Sequence, residues 1–205
     1  MSTSETIRSM LAAGRNRLNI GRAAEVAALV LALPKRHQSR KVEQLVECLW
    51  DDDPGIVNRA GDALEKVSRT LPTVLEPWKA PLLGLLVEAE QNKLRWNLAV
   101  IVPRLKLSVP ECRKVAEILQ SYLDDPSSIV KTCALQGLAE LTRQDPSLGP
   151  EVLDLLRIYS LCGTAAMRAR GRHLLRQLEA PGERLGHPQS GRSRYRKEPG
   201  RFVLP

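Results

Sequence analysis

A pattern recurs about every 37 residues along this chain and restricts its fold more than any other feature. Ile20, Ile56, Leu94, Val130 and Met167 each open a run of twelve residues, at steps of 36, 38, 36 and 37. The fifth position of the run holds Ala24, Ala60, Leu98, Ala134 and Gly171, small in every case but Leu98. The ninth holds Ala28, Leu64, Val102, Leu138 and Leu175, and the twelfth Leu31, Val67, Leu105, Leu141 and Leu178. A fixed period of this size describes stacked supersecondary units, each burying its apolar face on the next, and not one closed globule.

The available side chains agree with helices. Aromatics make up 3% of the 205 residues, and Phe202 is the single phenylalanine, so the core has to be built from Leu, Val, Ile and Ala. Leu and Ala favour helix, and sheets draw heavily on the aromatics that are scarce here. Turn signals separate the runs: Asp51-Asp52-Asp53-Pro54-Gly55 before the second, and Asp124-Asp125-Pro126-Ser127-Ser128 before the fourth. A carboxylate or hydroxyl before a helix accepts its free N–H groups, and proline suits the first turn.

A second helix follows each run. Thr73-Val74-Leu75-Glu76 and Ser108-Val109-Pro110-Glu111 both fit a capping box, and Asp145-Pro146-Ser147 serves the fourth unit. The spacing predicts a short helix over 4–13, and pairs over 18–33 with 39–50, 54–70 with 74–88, 92–105 with 110–123, and 127–143 with 148–160. A last helix is predicted over 164–179. Pro103 lies inside the third run and predicts a kink. Gly61, Gly137 and Gly171 lower helix propensity, which close approach of neighbouring helices would explain.

Charge is distributed unevenly. Residues 1–41 carry eight Lys/Arg against two Asp/Glu, residues 42–160 carry 13 against 18, and residues 161–205 carry ten against three. Both ends are therefore basic and the middle acidic, a distribution compatible with a polyanionic partner. Residues 181–205 are rich in Pro, Gly and Arg and have no apolar period, so they read as a basic, flexible tail after a repeat array over 1–180. The beginning, Met1-Ser2-Thr3-Ser4-Glu5, lacks the pattern of a signal peptide, and the longest uncharged apolar stretch, Val26 to Leu33, is too short to cross a bilayer. A cytoplasmic location with no membrane partner is the expectation.

The segments Asp53-Pro54-Gly55-Ile56-Val57-Asn58-Arg59-Ala60 and Asp125-Pro126-Ser127-Ser128-Ile129-Val130-Lys131-Thr132-Cys133-Ala134 resemble HEAT repeats. In that family an Asp-Pro precedes a helix beginning Val-Arg and running through small residues to Leu. Leu94-Arg95 and Met167-Arg168 fit the same position, Val130-Lys131 fits it with Lys, and Val57 after Ile56 departs from it. The resemblance covers residues 15–180, with a period shorter than the family norm. It implies an all-α fold, a right-handed α-solenoid of about five helix pairs. It also implies a scaffold or adaptor role, as in small bacterial HEAT-repeat proteins without an assigned activity, and supplies no catalytic residues.

The residues themselves offer little chemistry. His37, His173 and His187 form no i, i+4 pair, and there is no phosphate-binding glycine loop and no GxSxG. Cys48, Cys112, Cys133 and Cys162 are too dispersed for a metal site, and Asp51-Asp52-Asp53 lacks the alternation of a calcium loop. No enzyme, metal or cofactor is expected. One distant alternative is a HEAT-like DNA glycosylase, since Trp78, Arg113, Lys114 and Asp154 all fall on second helices, which in the family line the concave face. Helix packing is the simpler role for Trp78, as it is for Trp50 and Trp96.

Two partner surfaces are predicted instead. The first is a groove lined by the second helices that takes a protein, with Trp78, Lys79, Arg113, Lys114 and Arg157 as anchors. The second binds nucleic acid or another polyanion through Arg168, Arg172 and Arg176, which recur every fourth residue. Arg192, Arg194, Arg196 and Lys197 in the tail would extend it, with Tyr195 able to stack on a base.

Overall fold

The computed structural model describes residues 6–13 and 22–180. Every regular element among them is helical. A short α1 (Ile7–Ala12) precedes the pair α2 (Ala23–Ala32) and α3 (Lys35–Glu47). The next pairs are α4 (Pro54–Thr70) with α5 (Lys79–Glu88), α6 (Asn92–Ile101) with α7 (Val109–Ser121), and α8 (Ser128–Leu141) with α9 (Gly149–Cys162). The last helix is α10 (Ala165–Glu179). Ile20, which opens the first run, and residues 181–205 lie outside the described residues.

The helix starts follow from their caps. Asp53 Oδ1 accepts the Gly55 N–H at 2.7 Å, with Pro54 in the first turn of α4. Ser127 caps α8 through the Val130 N–H, and Thr164 caps α10 through the Met167 N–H. At α7 the Ser108 N–H donates to Glu111 at 2.7 Å and the full capping box forms. The box predicted at Thr73 does not form. Residues Pro72–Trp78 make 3-10 turns instead, and Glu76 accepts the Lys106 N–H at 2.7 Å, serving the neighbouring unit rather than its own helix. Pro103 ends its helix where a kink was expected. Because its ring nitrogen cannot donate, α6 stops at Ile101 and a 3-10 turn spans Val102–Arg104.

The first helices of successive pairs pack in a row: α2 on α4, α4 on α6, α6 on α8, and α8 on α10. Each second helix packs against the first helix that follows it in the chain, α3 on α4, α5 on α6, α7 on α8 and α9 on α10. Second helices meet one another lightly, as in the contact of α5 with α7. The fifth, ninth and twelfth positions of the second to fourth runs supply Ala60, Leu64, Val67, Leu98, Val102, Leu105, Ala134, Leu138 and Leu141, all fully buried in one continuous core. Gly61, Gly137 and Gly171 each sit against a neighbouring helix. The approach at Gly137 is tightest, where an added Cβ would lie 2.2 Å from the Ala99 carbonyl oxygen.

Candidate groove on the first helices

The first helices pack in one row, α2 on α4, α4 on α6, α6 on α8 and α8 on α10. Interaxial distance depends on the side chains at the contact, and small residues allow close approach. A groove of about 520 Å³ opens there, lined by α4, α6, α8 and α10. The expected anchors Trp78, Lys79, Arg113, Lys114 and Arg157 do not line this groove.

The groove residues follow a rule of their own. Asn97, Cys133 and Arg170 occupy the fourth position of their runs, and Asp62, Val100, Gln136 and His173 the seventh. Arg104 and Gln177 occupy the eleventh. Steps of three and four keep these positions on one helical stripe, adjacent to the buried stripe of fifth, ninth and twelfth positions. In the second to fifth runs these positions are polar or Cys, with Val100 the exception, where the buried stripe is apolar or small.

Charge along the groove is graded. On the α4 side, Glu65 Oε1 accepts from Arg69 Nε at 2.7 Å and from Arg104 at 3.0 Å. Burial pushes the Glu65 carboxyl up, but the two guanidiniums outweigh burial and hold it below the usual carboxylate range. Arg104 also donates to Ser68 Oγ at 2.7 Å, tying α6 to α4. Asp62 is paired with Lys66 of the same helix. On the α8–α10 side the wall has no carboxylate: Arg143, Arg170, His173, Gln136 and Gln177 line it. There Arg170 donates to the Gln136 side-chain oxygen at 3.1 Å. Arg143 reaches Glu140, beside the groove, at 2.7 Å.

Between these ends lies an apolar strip. Ile129 is 51% exposed, and Val100 and Trp96 stand half-buried on α6. Trp96 also packs on the core. Burial pushes the Cys133 thiol up to about 11, so it stays protonated at neutral pH and is a poor nucleophile. No cluster of His, Cys, Asp and Glu among the described residues could hold a metal ion.

The predicted anchors on the second helices are largely committed to holding units together. Lys79 Nζ pairs with Glu111 at 2.9 Å, and Arg113 Nε with Asp145 at 3.4 Å. Both links tie one unit to the next, from α5 to the first turn of α7 and from α7 to the cap before Pro146–Leu148. Arg157 bonds Asp154 and Glu179, each at 3.0 Å. Trp78 packs on the core, and Lys114 is exposed. Neither Trp78 nor Asp154 lines the groove of the first helices.

The basic stripe on α10 forms as spaced. Arg168 donates to the Gly163 carbonyl at 2.6 Å, Arg172 to that of Ser160 at 3.5 Å, and Arg176 to that of Arg172 at 3.2 Å. Among the described residues most arginines before α10 reach a carboxylate, whereas these three have none at ion-pair distance. Arg192, Arg194, Tyr195, Arg196 and Lys197 lie outside the described residues. No described helix is long and apolar enough to cross a membrane.

No family model matches the chain, and no curated protein matches it. Among solved structures it is similar in fold to two engineered proteins. One, at 16% identity, has a TM-score of 0.56 and covers 84% of this chain and 81% of its own. The other, at 13% identity, has a TM-score of 0.52 and covers 85% and 86%. At these identities the likeness concerns the helical fold alone.

Proposed function

We propose that this chain is a non-catalytic protein-binding scaffold, a right-handed α-solenoid of about five HEAT-like helix pairs that takes a partner in the groove of its first helices. The observation that carries this reading is the shared surface: four successive first helices line it, and each places its seventh run position there, as Asp62, Val100, Gln136 and His173. The row of α2, α4, α6, α8 and α10 and the Lys79–Glu111 and Arg113–Asp145 bridges between neighbouring units support the solenoid. Arginines around an apolar strip have the composition of an interaction hot spot.

The test is photo-crosslinking in cells with a reactive amino acid at Gln136, and at Lys114 on the second-helix side as control. A discrete protein adduct at position 136 alone, reproduced with that partner purified and lost on Ile129→Ser, is expected. Adducts at 114 alone would refute the location. Adducts at neither would refute a stable protein partner.

A second reading, polyanion binding through α10 and the tail, is favoured by Arg168, Arg172 and Arg176 having no carboxylate partner among the described residues. Phosphate neutralisation makes such binding steeply salt-dependent. A labelled oligonucleotide titrated across a salt series would show this, and the reading fails if binding is absent at low salt or unchanged by deleting residues 181–205.

A further inference from the structure

The groove wall is graded in chemistry, and that gradient specifies an occupant. We propose that the groove takes an extended acidic peptide segment, with an aliphatic side chain over Ile129 and Val100 and carboxylates over Arg143 and Arg170. This rests on the groove being the protein-binding surface.

The positive end of the groove is only partly neutralised from within. Arg170 is held by a neutral amide, Gln136, and Arg143 by Glu140, an i, i+3 neighbour in a partly exposed pair. A carboxylate arriving between α8 and α10 gains charge-assisted bonds without displacing a buried partner. The α4 end is already satisfied, since Glu65 holds both Arg69 and Arg104. Ile129 provides the anchor: an exposed aliphatic side chain on the wall of a polar groove is uncovered apolar area that a partner can bury.

A nucleic acid fits this surface less well. A phosphate backbone carries regular charge and would cross α4, where Asp62 and Glu65 stand. The aromatic that could stack on a base, Trp96, is engaged with the core. A peptide can vary its charge along its length and match a graded wall.

The experiment is fluorescence anisotropy with the full chain at low and moderate salt. Four fluorescein-labelled probes are compared: three dodecapeptides with the same central Leu-Val anchor and flanks of Asp/Glu, Ser/Gln or Lys/Arg, and a single-stranded DNA 12-mer. The acidic peptide is expected to bind on the order of tenfold more tightly than the neutral one, with Arg143→Gln plus Arg170→Gln removing that difference. Ile129→Ser is expected to weaken both peptides together. Lys114→Gln, on the opposite layer, is expected to change nothing.

Equal binding of the three peptides, still lost on Ile129→Ser, would overturn the acidic preference and leave the groove as a protein-binding surface. Preference for the basic peptide, with the same sensitivity, would do likewise. Binding of no peptide, or binding indifferent to every groove substitution, would overturn both. Tighter binding of the DNA, abolished by the double arginine substitution, would overturn both in favour of a polyanion site.

Discussion

A Cβ at position 137 would meet the Ala99 carbonyl oxygen at 2.2 Å and Leu119 Cδ1 at 2.8 Å. Backbone cannot withdraw as a flexible side chain can, so Gly137→Ala forces α8 away from α6. Helix propensity alone favours the alanine by about 1 kcal/mol. Overpacking costs about 1–3 kcal/mol and is expected to prevail, giving a lower urea midpoint. Gly61→Ala, whose nearest neighbour is the Asn97 side chain at 3.0 Å, is expected to cost less. A neutral or stabilising Gly137→Ala would contradict the close packing that places the groove. Tyr122 makes a comparable link between units. Its hydroxyl donates to the Leu86 carbonyl at 2.5 Å, while Arg95, paired with Asp125, lies 4.2 Å from its ring centre. Tyr122→Phe leaves that buried carbonyl without this donor and is expected to cost on the order of 1 kcal/mol, read by chemical denaturation.

The elements owe their boundaries to single side chains, and α7 is the clearest case. Glu111 accepts from the Ser108 backbone N–H, from Lys79 and from the Ser108 hydroxyl, which together bring its carboxyl from 4.5 down to about 2. A depressed folded value means the contribution is fully present above about 4.5 and is lost as pH falls toward 2. Glu111→Gln is therefore expected to flatten the acid limb of the stability profile in that window. Unchanged acid sensitivity would remove Glu111 as its source. Ser108→Ala breaks the same box from the other side, at an expected cost of about 0.5–2 kcal/mol. The Ser108 and Thr73 sequences fit the box equally well, yet only one forms it. Glu76 is drawn to the Lys106 N–H in the next unit, a partner 30 residues away that no local pattern reveals.

Across the whole molecule, each first helix except those at the ends has a neighbour on both sides. α4, α6 and α8 therefore have their inner stripe buried from two directions, while α10 has only α8 in that row. In a stack whose units contact only their neighbours, stability is shared along the row and the ends open first. Amide hydrogen exchange is expected to be slowest in α4, α6 and α8 and faster in α1 and α10. Uniform protection would argue for a single cooperative core. The same asymmetry bears on function, because α10 contributes Arg170 and His173 to the groove from its most easily opened edge.

The amino-acid order was sufficient for the helices, their pairing and the buried stripe, because each depends on spacing within one turn or on a cap a few residues away. It also contained the groove stripe, in the fourth, seventh and eleventh positions, without indicating that this layer would carry a groove. That depended on how closely helices far apart in the chain approach one another, which Gly137 and the small fifth-position residues set through contacts across units. Lys79 and Arg113 illustrate the same division. A solvent-facing cation reads alike in a sequence whether it waits for a partner or bridges to Glu111 or Asp145, and only folding brings those carboxylates within reach.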